Sequence, residues 1–236
     1  MTGQRGKQML KFLQQKSFSA RMLARYFLWG LLAFFCYLMA RITLQYLPIR
    51  NDAAFLQIKQ QYLGITHWRL AFWIHVFTSM VPLLAGFTQF APQVLRNWPQ
   101  IHRTMGRIYI ISVCCITGPA SLIMAFYANG GTTSRIAFVT LALLWLGTTA
   151  LGWRSALKRQ WQAHRGWMIR SYALTLSAIT LRAWKYAIVF AFEPRPMDVY
   201  RIVAWLGFVP IRVRLVPKWL VFSDLDKNNL DKSLTR

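Results

Sequence analysis

Gln100-Ile101-His102-Arg103-Thr104-Met105-Gly106-Arg107 and Gln162-Ala163-His164-Arg165-Gly166-Trp167-Met168-Ile169-Arg170 are two basic stretches, each set between long apolar runs. Each carries a His-Arg pair, with a second arginine five residues after His102 and six after His164. An apolar run of about 20 residues crosses the hydrocarbon of a bilayer as a helix. Two such runs joined by a short basic segment read as a membrane hairpin that turns on the cytoplasmic side, where Lys and Arg collect. The two stretches therefore predict an all-α polytopic membrane protein with two similar central hairpins.

Composition agrees. The 236 residues are 56% apolar and 15% charged, whereas a soluble domain carries about a quarter charged residues. The formal net charge is +23, from 29 Lys/Arg against six Asp/Glu. In a soluble chain that charge would suggest nucleic acid. Here the basic residues fall between the apolar runs, so the expected partners are membrane lipids, anionic on the cytoplasmic face, or a membrane protein, and no nucleic acid. Cys36, Cys114 and Cys115 all lie in apolar runs without a CxxC spacing. They read as buried small hydrophobes rather than as a dithiol or haem-attachment site.

The runs predict six spans, at about residues 27–47, 70–90, 108–127, 136–153, 167–192 and 202–222. The first is an uncleaved span, because its apolar run continues without a small-residue cleavage site. The segment from Arg50 to Arg69, with Phe55, Ile58, Tyr62 and Leu63, reads as a short amphipathic helix at the interface. Asn129-Gly130-Gly131 reads as a tight turn. Twenty Lys/Arg residues fall on one side of the bilayer and seven on the other when the N-terminus is placed inside. That bias puts both termini in the cytoplasm. The whole chain, 1–236, reads as one membrane domain, with 1–26 a basic cytoplasmic N-terminus and 223–236 a cytoplasmic tail.

Three of the four histidines and a few arginines are the candidates for chemistry. His102 and His164 occupy equivalent places, 62 residues apart. Two imidazoles at one end of a helical bundle are a ligand pair for a haem iron. Arg103, Arg165 and Arg170 are suited to its propionates, because guanidinium pairs with planar carboxylates. The same set would suit a quinone carbonyl or a phosphate head group. His75 lies within the second span, and an intramembrane polar ring is a functional candidate by default. Arg182 sits near mid-bilayer in the fifth span, with Lys185 one turn further on. No acidic residue lies in any predicted span, so an intramembrane carboxylate relay is excluded and Arg182 needs carbonyls, water or an anionic ligand.

The layout resembles a bacterial family of predicted membrane proteins, domain of unknown function 2306. The likeness rests on His75 and Gly86-Phe87-Thr88-Gln89-Phe90, then His102-Arg103-Thr104-Met105-Gly106-Arg107-Ile108-Tyr109, then His164 to Ala173, and Thr180-Leu181-Arg182. It covers roughly His75 to Trp205. The resemblance implies the architecture, a bacterial inner-membrane location and these residues as points of interest; it implies no activity. Three functional classes follow from the residues. One is an electron-transfer subunit holding haem b or quinone. The second is a carrier or binder of lipid or a small organic anion. The third is a membrane scaffold or partner subunit.

Overall fold

The computed structural model describes residues 22–23, 26–192, 199 and 202–204, which are helical wherever they are regular. Met1–Leu44 and Gln45–Arg236 form separate compact units. The first unit contributes the helix α1 (Tyr26–Leu44). The second begins with a 3-10 segment, Ala54–Tyr62, followed by α2 (Thr66–Thr78), α3 (Met80–Gln89), α4 (Pro92–Asn97) and α5 (Pro99–Ile111). A π-helical segment, Ser112–Thr117, joins α5 to α6 (Gly118–Ala125); α7 (Gly131–Leu157) and α8 (Trp161–Phe192) complete it. Five helical stretches among the described residues are long and apolar enough to cross a membrane: Tyr26–Leu44, Thr66–Gln89, Pro99–Ala125, Gly131–Leu157 and Trp161–Phe192. The expected sixth span, at 202–222, and both termini lie largely outside the described residues.

The helices of the second unit start earlier than the apolar runs do, the third and fifth spans most of all. The third span was expected from Ile108 and the fifth from Trp167, yet their helices begin at Pro99 and Trp161. Counting apolar residues reports the hydrocarbon crossing and not the extent of the helix. At 32 residues, α8 is about 48 Å long, well beyond the roughly 30 Å of hydrocarbon. Its polar first turns therefore extend past the apolar layer. Pro99 takes the first position of α5, where its missing N–H costs nothing. The two His-Arg stretches are thus helical, not turns between helices. The turn expected at Asn129-Gly130-Gly131 is formed, with Gly130 at φ +96° and Gly131 at φ +78°, a region glycine enters without strain.

Prolines shape the two stretches that cross near one another. Pro82 offers no N–H to the carbonyl one turn before it, and the helix is interrupted at Ser79, between α2 and α3. Pro119 has the same effect on the other stretch. There the backbone widens into the π segment, and Gly118 makes room for it: a Cβ at Gly118 would lie 2.2 Å from the Val113 carbonyl oxygen. Hydroxyls bridge the two stretches at this level. Thr117 Oγ1 lies 3.0 Å from Thr78 Oγ1 and 3.1 Å from Ser112 Oγ.

Pairs of bonded residues give the helix directions. Gln89 reaches the His102 carbonyl, Thr78 reaches Thr117, and His75 reaches Ser121. As one residue number falls its partner's rises, so α2–α3 runs antiparallel to α5–α6. Trp145 with Thr175, Thr149 with Ser171, and Gly152 with His164 show the same for α7 and α8.

Two cores hold this unit together. Ala85, Tyr109, Val113, Met168 and Tyr172 form one. Tyr172 lies so close over α3 that a Cβ at Gly86 would stand 2.0 Å from its ring, and its hydroxyl donates to the Leu83 carbonyl at 3.0 Å. Tyr46, Leu56, Trp68 and Phe72 form the other, with Trp68 stacked on Phe72 at 5.5 Å. Over this second core sits the 3-10 segment, expected as an interfacial helix. Its Lys59 is only 2% exposed.

Candidate functional site

Tyr109 and Ser171 set the register of the two helices that carry the histidines. The Tyr109 hydroxyl lies 2.7 Å from Ser171 Oγ and 2.8 Å from Thr175 Oγ1, all three buried. Ser171 Oγ is also 2.6 Å from Thr149 Oγ1, and the Trp145 indole N–H donates to Thr175 Oγ1 at 3.0 Å. This closed set of hydroxyls ties α5, α7 and α8 together where unpaired polar groups would be costly. Tyr109 and Ser171 are 62 residues apart, and so are His102 and His164. Each histidine lies seven residues, two helical turns, before its member of the bonded pair. Since α5 and α8 run in the same direction, one offset puts His102 and His164 at one depth and on matching faces.

The two rings are held differently. His164 is fixed by a hydrogen bond from its Nδ1 to the Gly152 carbonyl at 2.9 Å. With the proton on Nδ1, Nε2 carries the free lone pair, the arrangement typical of a ligating histidine. Gly152 is needed as glycine, since a Cβ there would meet Met168 Sδ at 2.6 Å. His102 is half-buried, and its Nδ1 is buried without a hydrogen-bond partner among the described residues. Leaving such an atom unpaired costs about 1–3 kcal/mol. Gln89 donates from Nε2 to the His102 backbone carbonyl at 3.1 Å and packs over Gly106. Arg103 and Arg107 are exposed beside His102, and Arg170 lies over the Trp167 ring with 4.9 Å to its centroid. Arg165 is half-buried next to His164.

His75 and Arg182 are far from this end. His75 Nδ1 lies 2.8 Å from Ser121 Oγ, and that hydroxyl donates to the Thr117 carbonyl at 2.7 Å. A serine has one proton to give, so Nδ1 is the donor to Ser121 and Nε2 of His75 holds the lone pair. Arg182 is half-buried and lies one turn beyond Ile179, in line with the buried Met168, Ser171 or Tyr172, Thr175 and Ile179 of α8. Among the described residues it makes one side-chain hydrogen bond, Nη1 to the Ala178 carbonyl at 2.9 Å.

Sequence reading missed the hydroxyl cluster and Lys59. Serine and threonine in an apolar run look like tolerated small residues, and only the shared offset of 62 could have pointed to Tyr109 and Ser171. Lys59 donates from Nζ to the Tyr127 carbonyl and sits 4.6 Å from the Tyr62 ring centroid. Burial lowers its pKa to about 8, helped by the Arg135 charge. His67 Nε2 lies 2.7 Å from the Tyr127 hydroxyl at the same place.

The described residues hold no group of three or more His, Cys, Asp or Glu that could bind a metal ion. No curated protein and no solved structure matches the chain. One family model does match, over residues 72–220, a span that includes His75, His102, His164, Arg182 and the hydroxyl cluster. The chain belongs to that family, described as predicted membrane protein, domain of unknown function 2306 (DUF2306).

Proposed function

We propose that the protein is an integral electron-transfer subunit of the bacterial inner membrane that binds one haem b between His102 and His164. In this reading six helices span the bilayer, the two central hairpins are structurally similar, and the histidines lie at the cytoplasmic end. The observation that carries the proposal is the common offset of 62: the Tyr109–Ser171 hydrogen bond brings equivalent faces of α5 and α8 together, with one histidine on each. Two further features support it. His164 is oriented by Gly152 so that Nε2 is free to ligate. The buried, unpartnered Nδ1 of His102 would be satisfied by ligation.

Arg103 and Arg165 directly follow the two histidines and Arg170 lies six residues beyond His164; the three would hold the propionates by charge-assisted hydrogen bonds. Held by His102 and His164, a haem would supply single-electron transfer. The chain's own contribution is to fix ring orientation through Gly152 and register through Tyr109. The test is the absorption spectrum of the full chain purified in detergent after expression with added haem precursor. The expected result is a Soret band that shifts on dithionite reduction and is lost in His102→Ala and in His164→Ala. A colourless wild-type protein that also fails to bind added haemin at one per chain would overturn the assignment.

A further inference from the structure

The half of the bundle away from His102 holds two further polar groups, His75 and Arg182. Applying the offset of 62 to Arg182 places it at the level of Ala120, beside Ser121. Ser121 is the residue that holds His75. A second measure agrees. His75 lies nine residues from the start of α2 at Thr66, and Arg182 ten residues from the end of α8 at Phe192. Those distances are about 13 and 15 Å along the axes. Both residues are on inward stripes, His75 following Trp68, Ala71 and Phe72, and Arg182 following Thr175 and Ile179. The two groups have complementary chemistry. Nε2 of His75 offers a lone pair, while the Arg182 guanidinium offers N–H donors and a positive charge.

No carboxylate on the described helices meets this cation: the one acidic residue described, Asp52, lies before the 3-10 segment. A guanidinium inside hydrocarbon is expensive and marks a ligand pathway more often than a structural contact. A neutral carbonyl alone would leave the imidazole lone pair unused, and a fully ionised phosphate would face it with like electron density. A weakly acidic O–H next to an acceptor oxygen satisfies both groups. The hydroxyl donates to His75 Nε2, and the oxygen accepts from Arg182.

We propose that His75 and Arg182 form an intramembrane binding site for the weakly acidic head group of an apolar, lipid-soluble ligand. Two sources share this chemistry, the ring hydroxyl of a hydroquinone and the carboxyl of a fatty acid. The site is about 28 Å along the helices from His102, and it is independent of the haem proposal. Ser121 is a positioning residue that holds the His75 tautomer.

Equilibrium binding to the full chain in detergent tests the site with two probes, a decyl-substituted benzohydroquinone and oleic acid. Each is compared with its O-methylated form, the dimethoxybenzene and methyl oleate. Wild type is expected to bind one of the two acids saturably at one per chain, and the methylated form at least tenfold more weakly. Arg182→Ala and His75→Gln should each weaken that binding at least tenfold, and Arg182→Lys should recover part of it, because lysine lacks the planar fork. Preference for the hydroquinone or for oleate identifies the source. Size-exclusion elution and thermal unfolding establish that the variants are folded. The Soret band is expected to be unchanged in both, so failure here is distinct from failure of the haem site. Absence of saturable binding by folded wild type overturns the proposal, as does equal binding by wild type, R182A and H75Q.

Discussion

Lys59 shows how a single residue can escape sequence reading. It lies on an amphipathic segment whose apolar residues suggest an interface and whose lysine suggests solvent. Instead the 3-10 segment lies over the Trp68–Phe72 core, and Lys59 is enclosed with Phe55 and Tyr62 around it. Its Nζ is satisfied by the Tyr127 carbonyl, next to the turn that starts α7. The folded-state pKa is lowered to about 8, from the ordinary lysine value of 10.5. Between these values the unfolded chain holds more protons at this site, so stability rises with pH across that window. Below about pH 8 the cost of the buried cation is fully present; above about 10.5 it is gone. Thermal unfolding in detergent, compared between wild type and Lys59→Met, isolates the effect. The wild-type midpoint should gain on the variant between pH 7.5 and 10. Parallel curves across that range would show that Lys59 does not titrate with burial.

Elements are tied by polar bridges because apolar side chains gain little by leaving lipid for one another. The cluster of Tyr109, Ser171, Thr175, Thr149 and Trp145 is such a bridge. Removing the Tyr109 hydroxyl leaves Ser171 paired with Thr149 and Thr175 paired with Trp145, so no buried group is orphaned. Tyr109→Phe should therefore cost only about 1 kcal/mol, the scale of interhelical hydrogen bonds in membrane proteins. Its larger effect should be on register. Spin labels at Arg103→Cys and Arg165→Cys, both exposed or half-buried at the histidine level, should give a broader distance distribution in the Tyr109→Phe background. An unchanged distribution would mean that Tyr172 over Gly86 suffices to hold α8 in place. Helix extents belong to this scale too. The apolar pattern located each crossing but missed the polar first turns of α5 and α8, because a helix continues through the head-group layer wherever Gln, His and Arg are compatible with it.

Twenty basic residues against seven favour a cytoplasmic N-terminus, which puts the His102–His164 end inside and Gly130 outside. Reporter fusions check this directly. A phosphatase fused at Gly130 should be active, and one fused at the C-terminus should be inactive. An active C-terminal fusion would leave five crossings in place of six, and an inactive Gly130 fusion would invert the bundle.

The sequence by itself determined the class and the approximate crossings, since apolar length and basic asymmetry act locally and can be read along one chain. It also nominated His75, His102, His164 and Arg182, because ionisable groups in or beside an apolar run are conspicuous. Only the tertiary structure decided what each of these meets. His164 with the Gly152 carbonyl, and His75 with Ser121, are pairings across helices, and they depend on register. Register is set by the close approach of Tyr172 to Gly86 and by hydroxyl bridges between residues 62 apart. Those contacts are made by serine, threonine and glycine, whose small side chains leave almost no trace in a hydropathy pattern. Their importance comes from what packs against them, and that is fixed only when the helices come together.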